Sequence, residues 1–463
     1  MNSALGASAT SGVSSVPPAA GSRAALLRDG PILSTLVRLS LPNLIALCSA
    51  TVVSIAETAY VGALGVASLG GIALVFPIFM LMQMLSAGAM GGTVSGAISR
   101  ALGRDSTADA HALALTSLAV GLALGVIFSV TVFAFGPQVY QALGGKGRVL
   151  GEAIAYSNVA ALAIVAIWAT NMLASIARGS GNMIVPASVQ LAAGVVQVAV
   201  GGAFGLGLGP FPKLGMAGVA TGQVVAFTAA ALALLAHLRS PKAHMRLRFV
   251  PKLVSLVRVV EIMRVGAIAT LSPLLSVTSI LVLTALVARF GRDALAGFGI
   301  GVRFEFLLIP IAFSIGVASV PMVGTAIGVG NVARARRIAW TGGGLAAAIL
   351  GILGVLVLLQ PGLWVDMFTG SPAVRSAAYG YLGIAGFGFG FFGLGLCLYF
   401  ASQGAGRVGG AIAAQGIRLA VIVLGGLALT HVSSPLWMVF VLSASAMLLM
   451  GLGTALFVKL ARW

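Results

Sequence analysis

The chain is a near-continuous succession of apolar runs, each of about 20 residues or more, separated by short polar breaks. A helix of about 20 residues crosses a hydrocarbon core of about 30 Å. Lipid offers nothing to bond an open sheet edge or irregular backbone. Runs of this length therefore restrict the fold to a bundle of membrane-spanning helices. Composition agrees: 59% of the 463 residues are hydrophobic and 8% are charged, where soluble domains carry about 25% charged residues. The 63 glycines suit a membrane bundle, because small residues let helices approach closely.

Hydropathy divides the chain into twelve spans, at 36–62, 69–92, 113–135, 153–175, 183–204, 214–238, 262–287, 295–316, 338–359, 377–400, 408–429 and 436–460. The expected fold is an all-α polytopic membrane protein of twelve transmembrane helices. Residues 1–35 are expected as a disordered cytoplasmic tail, rich at first in Ala, Ser, Gly and Pro and without the apolar core of a cleavable signal peptide. The first span would then serve as its own insertion signal. Lys and Arg set the orientation. Alternate loops, counted from the N-terminal tail, hold 19 of the 27 basic residues and the intervening loops hold 6. Arg303 and Arg418 fall inside spans. Both termini are thereby expected in the cytoplasm, with the protein in a bacterial inner membrane.

The net charge of +18 does not mark a nucleic-acid binder, because the basic residues are scattered between apolar runs instead of forming one stripe. Cys48 and Cys397 lie in apolar helices and His111, His237, His244 and His431 are dispersed, so neither a disulfide framework nor a metal site is expected. No phosphate-binding loop or strand–turn–helix unit is legible. No organic cofactor is expected, and the chain reads as a non-enzyme drawing on an ion gradient.

The sequence also repeats itself. Val61, Leu64, Gly65, Leu69 and Gly71 are echoed at Val287, Phe290, Gly291, Leu295 and Gly297. Gly88 and Gly96 recur as Gly316 and Gly324, and Arg178-Gly179-Ser180-Gly181 as Gln403-Gly404-Ala405-Gly406. The offset stays close to constant, so two pseudo-symmetric six-helix lobes are expected, 36–238 and 262–463, joined by a cytoplasmic linker at 239–261. Halves with an even number of spans share an orientation, and rocking of such halves about a cleft gives alternating access.

Several segments carry a resemblance. Ala56-Glu57-Thr58-Ala59-Tyr60-Val61-Gly62 followed by Leu64-Gly65, the turn Ile176 to Asn182, its echo at Gln403 to Gly406, and Pro321-Met322-Val323-Gly324-Thr325 through Gly330-Asn331 stand in order along the chain. Together they resemble the multidrug and toxic compound extrusion (MATE) family from about Leu36 to Leu429. The resemblance implies cation-coupled export of small amphipathic or cationic organic compounds, with H⁺ favoured over Na⁺ as the coupling ion, by a monomer in the lipid bilayer. It also shows two departures. The family usually has Asp where this chain has Glu57, and the Asn and Asp four residues apart in the fifth helix of proton-coupled members align with Gln197 and Gly201. The alternative is a lipid-linked oligosaccharide flippase of a related two-lobe family, whose site should present several Arg or Lys to pyrophosphate. A scaffold without transport would need neither the repeat nor a buried acid.

Glu57 is the leading candidate for cation coupling. It lies among apolar neighbours about 12 Å of helix rise before Gly65, and an intramembrane carboxylate is costly unless it faces a wet cavity or a partner. Ser54 and Tyr60 share its helical face. Asn171, Gln190, Gln197 and Gln223 are candidates for cavity polar groups or for interhelical bonds. Met80, Met82, Gln83 and Met84 could line an adaptable substrate wall, although methionines at such positions more often pack or face lipid. In the second half, Glu305, Arg303 and Arg418 are candidates for ion or substrate contact or, equally, for a buried structural ion pair that pins the lobe, with Arg418 the expected partner of Glu305. Gly88, Gly92 and Gly96, four residues apart, read as a helix-packing stripe.

Overall fold

The computed structural model describes residues 23–241, 243, 245–247, 254–431 and 434–461. Twelve helices among them are long and apolar enough to cross a membrane. They are α1 (Ile32–Leu64), α2 (Val66–Gly103), α3 (Thr107–Ala142), α4 (Gly147–Gly179), α5 (Ile184–Leu206), α6 (Gly215–Arg239), α7 (Leu256–Ala288), α8 (Arg292–Gly328), α9 (Val332–Leu359), α10 (Pro372–Ala405), α11 (Gly409–His431) and α12 (Leu436–Leu460). Most extend several residues past the hydropathic runs, because helical hydrogen bonding continues beyond the point where apolar side chains stop.

Two sequence expectations change here. Residues 1–22 of the expected tail lie outside the described residues, but Arg23–Asp29 forms a short helix and α1 begins at Ile32. Leu27 is buried against Gly181 and Met183, which gives this short helix a tertiary anchor. The linker expected at 239–261 shortens at its far end, since α7 begins at Leu256, its first turn capped by the Ser255 hydroxyl accepting from the Arg258 amide.

The sequence repeat becomes a repeat of packing. In the first half α1 packs on α5, α5 and α4 on α6, and α2 and α3 on α4; in the second half α7 packs on α11, α11 and α10 on α12, and α8 and α9 on α10. Each lobe has its own apolar core. Trp168, stacked on Phe128 at 5.6 Å, centres the first with Met172 and Ile164. Phe389, Tyr381 and Phe440 centre the second. The echoed glycines are conformational twins. Gly65 (φ 121°, ψ 172°) joins α1 to α2, and Gly291 (φ 98°, ψ 179°) caps the start of α8 after α7. This backbone region is almost closed to side chains.

The lobes meet at the end of the bundle where the basic loops gather. The seam uses the first half of α1, the second half of α2, the first half of α7 and the second half of α8, with the C-terminal end of α10. The glycine stripe of α2 is consumed there. A methyl on Gly96 would sit 2.6 Å from the Gln403 carbonyl oxygen, and one on Gly103 would sit 2.5 Å from that of Thr325. Arg100 closes the seam, its Nη1 donating to the carbonyls of Gln403 (3.2 Å) and Gly404 (2.7 Å). Arg258 to Asp109 (3.2 Å) and Arg334 to the Gly30 carbonyl (2.6 Å) add further ties. The second halves of α1 and α7 instead pack into separate cores within their own lobes.

Candidate functional site

A cavity of about 610 Å³ lies inside the first lobe, between α1, α2, α4, α5 and α6. Small residues position its wall. Gly194 brings α5 against α1, where a methyl would lie 2.8 Å from Val53 Cγ2. The close approach sets Gln197 beside Glu57, and its Nε2 donates to Glu57 Oε1 at 2.7 Å. Gln197 is buried while Glu57 is partly buried and lines the cavity. The carboxylate therefore has one neutral donor on the protein side and open space on the other.

The remaining polar groups are carboxamides and hydroxyls. Asn171 donates to Ser86 Oγ at 2.7 Å and to Gln83 Oε1 at 3.3 Å, tying α4 to α2. Gln223 donates to the Tyr156 hydroxyl at 2.8 Å, while Gln223 Oε1 is buried without a partner. Phe76, Phe79 and Phe227 supply aromatic surface, with Phe79 edge-on to Tyr156 at 6.3 Å. Among the described residues Glu57 is the sole charged one in the lining, and no Lys or Arg contributes. An apolar, aromatic chamber with one carboxylate favours a hydrophobic cation, through cation–π attraction and charge together.

Ser54, Asn171, Gln190, Gln197 and Gln223 all line this cavity, as do Met80, Met82 and Gln83. Two sequence candidates do not. Tyr60 turns into the packing between α1 and α5, where its buried hydroxyl lies near Gly201 without a hydrogen-bond partner. Met84 opens a π-helical segment, Met84–Met90, and is not among the lining residues. Reading by residue type missed Tyr156, Thr170, Phe79 and Phe227. The first two are buried polar residues within the membrane span of α4, a signal legible in the sequence; the two phenylalanines carry none.

The second-lobe candidates do not form the expected pair. Glu305 accepts a hydrogen bond from the Tyr381 hydroxyl. Arg418 makes no ion pair within 4 Å among the described residues. It is 4% exposed, its guanidinium 5.7 Å over the Phe392 ring and its Nη1 3.8 Å from Met450 Sδ. Its Nε has no partner. A ring face and a thioether hold the charge where a carboxylate was expected. Arg303 is exposed and forms no ion pair within 4 Å among the described residues. Leu283, the repeat position of Glu57, is buried in the second core.

A family model, MatE, matches residues 42–201 and again 269–427, two copies of one unit at the offset of the internal repeat. "Probable multidrug resistance protein NorM" of Deinococcus radiodurans is 29% identical over 50% of this chain and 51% of its own length, so the chain spans about half of that relative. A Shewanella oneidensis protein named "FAD transporter" is 22% identical over 67% of this chain and 69% of its own. A solved MOP superfamily transporter from Pyrococcus furiosus superposes with TM-score 0.85 at 22% identity, covering 94% of this chain and 97% of that one. A MATE family multidrug resistance transporter solved in an outward-facing conformation gives the same values. These structural likenesses establish the fold, and the doubled family match, spread over both six-helix lobes, establishes more: the chain is a multi-pass membrane protein that belongs to the MATE family.

Proposed function

We propose that the protein is a cation-coupled antiporter exporting small amphipathic or cationic organic compounds by alternating access, with H⁺ as the coupling ion. The observation that carries this reading is the Glu57 carboxylate, among the described residues the single charge lining a 610 Å³ aromatic cavity and bonded there to Gln197. A proton needs only the carboxylate. Na⁺ is a hard cation and would need several oxygen ligands; Gln197 presents an N–H to the site and position 201 is a glycine. The transporter acts, in this reading, as a monomer in a bacterial inner membrane with both termini cytoplasmic. Its seam is then closed toward the cytoplasm, so the arrangement corresponds to an outward-facing state.

A cavity without Lys or Arg offers no partner to phosphate, which favours drug export over the flipping of lipid-linked oligosaccharides. Ethidium accumulation in cells with and without the protein tests the reading at two external pH values and with Na⁺ present or replaced. Efflux driven by the inward proton gradient and independent of Na⁺ is expected, and Glu57→Gln is expected to abolish it while leaving the membrane level of protein unchanged. Unaltered efflux in Glu57→Gln would remove this carboxylate from the mechanism.

A further inference from the structure

The cavity and the seam are joined by one irregular element. Between Gln83, which lines the cavity, and Gly92, which lies in the seam, α2 abandons α-helical winding for the π-helical turns of Met84–Met90. A π segment inserts an extra residue and persists where the surroundings hold it, often at functional positions. Both ends of this one are held by side chains from elsewhere. At the cavity end, Asn171 of α4 grips Gln83 and Ser86. At the seam end, Gln403 of α10 reaches across from the other lobe. Gln403 is wholly buried and its Nε2 lies 3.3 Å from the Gly88 carbonyl and 3.5 Å from that of Ala89, while also meeting the Tyr399 hydroxyl at 2.8 Å. Its Oε1 has no hydrogen-bond partner and rests against Gly92, where a methyl would bring Cδ of the amide to 2.7 Å.

We propose that the π segment Met84–Met90 is the joint through which exchange in the cavity opens the seam, with Gln403 as the positioning residue that holds it in the closed-seam state. Moving the extra residue one position along a helix turns the intervening residue by about 100°. The carbonyls of Gly88 and Ala89 would swing away from Gln403, and the bare flank of Gly92 would leave its amide. Asn171 supplies the trigger, because its two acceptors sit one on the cavity wall and one within the π turns. The unsatisfied Oε1 of Gln403 marks an anchorage that is not optimal here, as a reversible joint requires. Two discrete windings, not graded bending, give such an element its switch character.

This inference rests on the export reading, and the experiment separates the two. In full-length protein carrying Cys48→Ser and Cys397→Ala, spin labels at exposed Ala108 and Arg337, one in each lobe at the basic-loop end, report seam opening. Ethidium fluorescence reports binding, and efflux from reconstituted vesicles reports transport. Gln403→Leu is expected to bind ethidium within twofold of the unsubstituted affinity, to lose at least tenfold in efflux, and to show the long Ala108–Arg337 distance without ligand. Gly92→Ala, which collides with the Gln403 amide from the other side, should repeat this pattern and carries the test if Gln403→Leu does not fold. Efflux within twofold of the parent, or binding and efflux falling together, would overturn the joint. Failure of the parent protein to bind or export ethidium would overturn the export reading instead; the joint would then be judged by the label distance alone, and an unchanged distance in Gln403→Leu would refute it.

Discussion

Each lobe holds an intramembrane carboxylate bonded to a neutral donor: Glu57 to Gln197 and Glu305 to Tyr381. Their surroundings separate their roles. Glu57 opens onto a chamber; Glu305 sits against the aromatic packing of Tyr381, whose ring meets Phe298 at 4.9 Å and Phe440 at 5.2 Å. Arg418 lies within electrostatic reach of Glu305 but bonds nothing stronger than a thioether. Removing one member of a buried charged set strands the other, at a cost of about 3 kcal/mol or more, but the two remnants differ: a stranded Glu305 can take up a proton and keeps its Tyr381 partner, whereas a stranded Arg418 cannot shed its charge. Glu305→Ala is therefore expected to lower unfolding stability in detergent by about 3 kcal/mol, and Arg418→Met, surrounded by Phe392 and Met450, to change it by less than about 1 kcal/mol. Thermal unfolding of the two variants checks the asymmetry. Equal losses would mean that a direct Glu305–Arg418 bond forms after all.

At the scale of elements, the glycine twins test the repeat. At Gly65 and Gly291 an added methyl would meet nothing within 4 Å, so a substitution there encounters backbone strain and no collision. Each of Gly65→Ala and Gly291→Ala is expected to cost about 1–3 kcal/mol, measurable as a fall in unfolding temperature, and equally in the two lobes. Unequal losses would show that one junction relaxes by repacking. These junctions were legible in the sequence as an echo of Leu64-Gly65 at Phe290-Gly291, because a requirement for a glycine backbone leaves a residue-type trace. The twelve spans were legible for a similar reason: hydrophobicity averages over about 20 residues and tolerates local exceptions. The helix ends were not, since polar turns continue a helix without a hydropathic signal. The π segment was invisible too. Met84–Met90 has the composition of any small-residue membrane helix, and its winding is imposed by Asn171 and Gln403, which lie 85 and 315 residues from the groups they bond. Glu57 stood out as an acid in an apolar run, yet its cavity needed five helices to come together.

For the whole molecule, the ties between lobes are unevenly distributed along the bundle axis. Gly96, Gly103, Gly324 and Gly328 let α2 and α8 touch backbone to backbone at the basic-loop end, while Val61 and Val287, at the far ends of α1 and α7, are buried in different cores. If the positive-inside rule places the basic loops in the cytoplasm, the cavity is reached from outside and the seam is shut from within. A membrane-impermeant thiol reagent reads both statements at once. In a chain carrying Cys48→Ser and Cys397→Ala, Ser54→Cys stands in the exposed cavity wall and Ser99→Cys in the wholly buried seam. Applied to intact cells, the reagent is expected to label position 54 and to spare position 99. Applied to inverted vesicles, it should spare both until substrate or a proton gradient drives the lobes apart, when position 99 becomes reactive. Labelling of position 54 from the cytoplasmic face alone would reverse the orientation. Labelling of position 99 from inside without any gradient would show that the resting seam is open, and that the backbone contacts along α2 and α8 do not hold the lobes together.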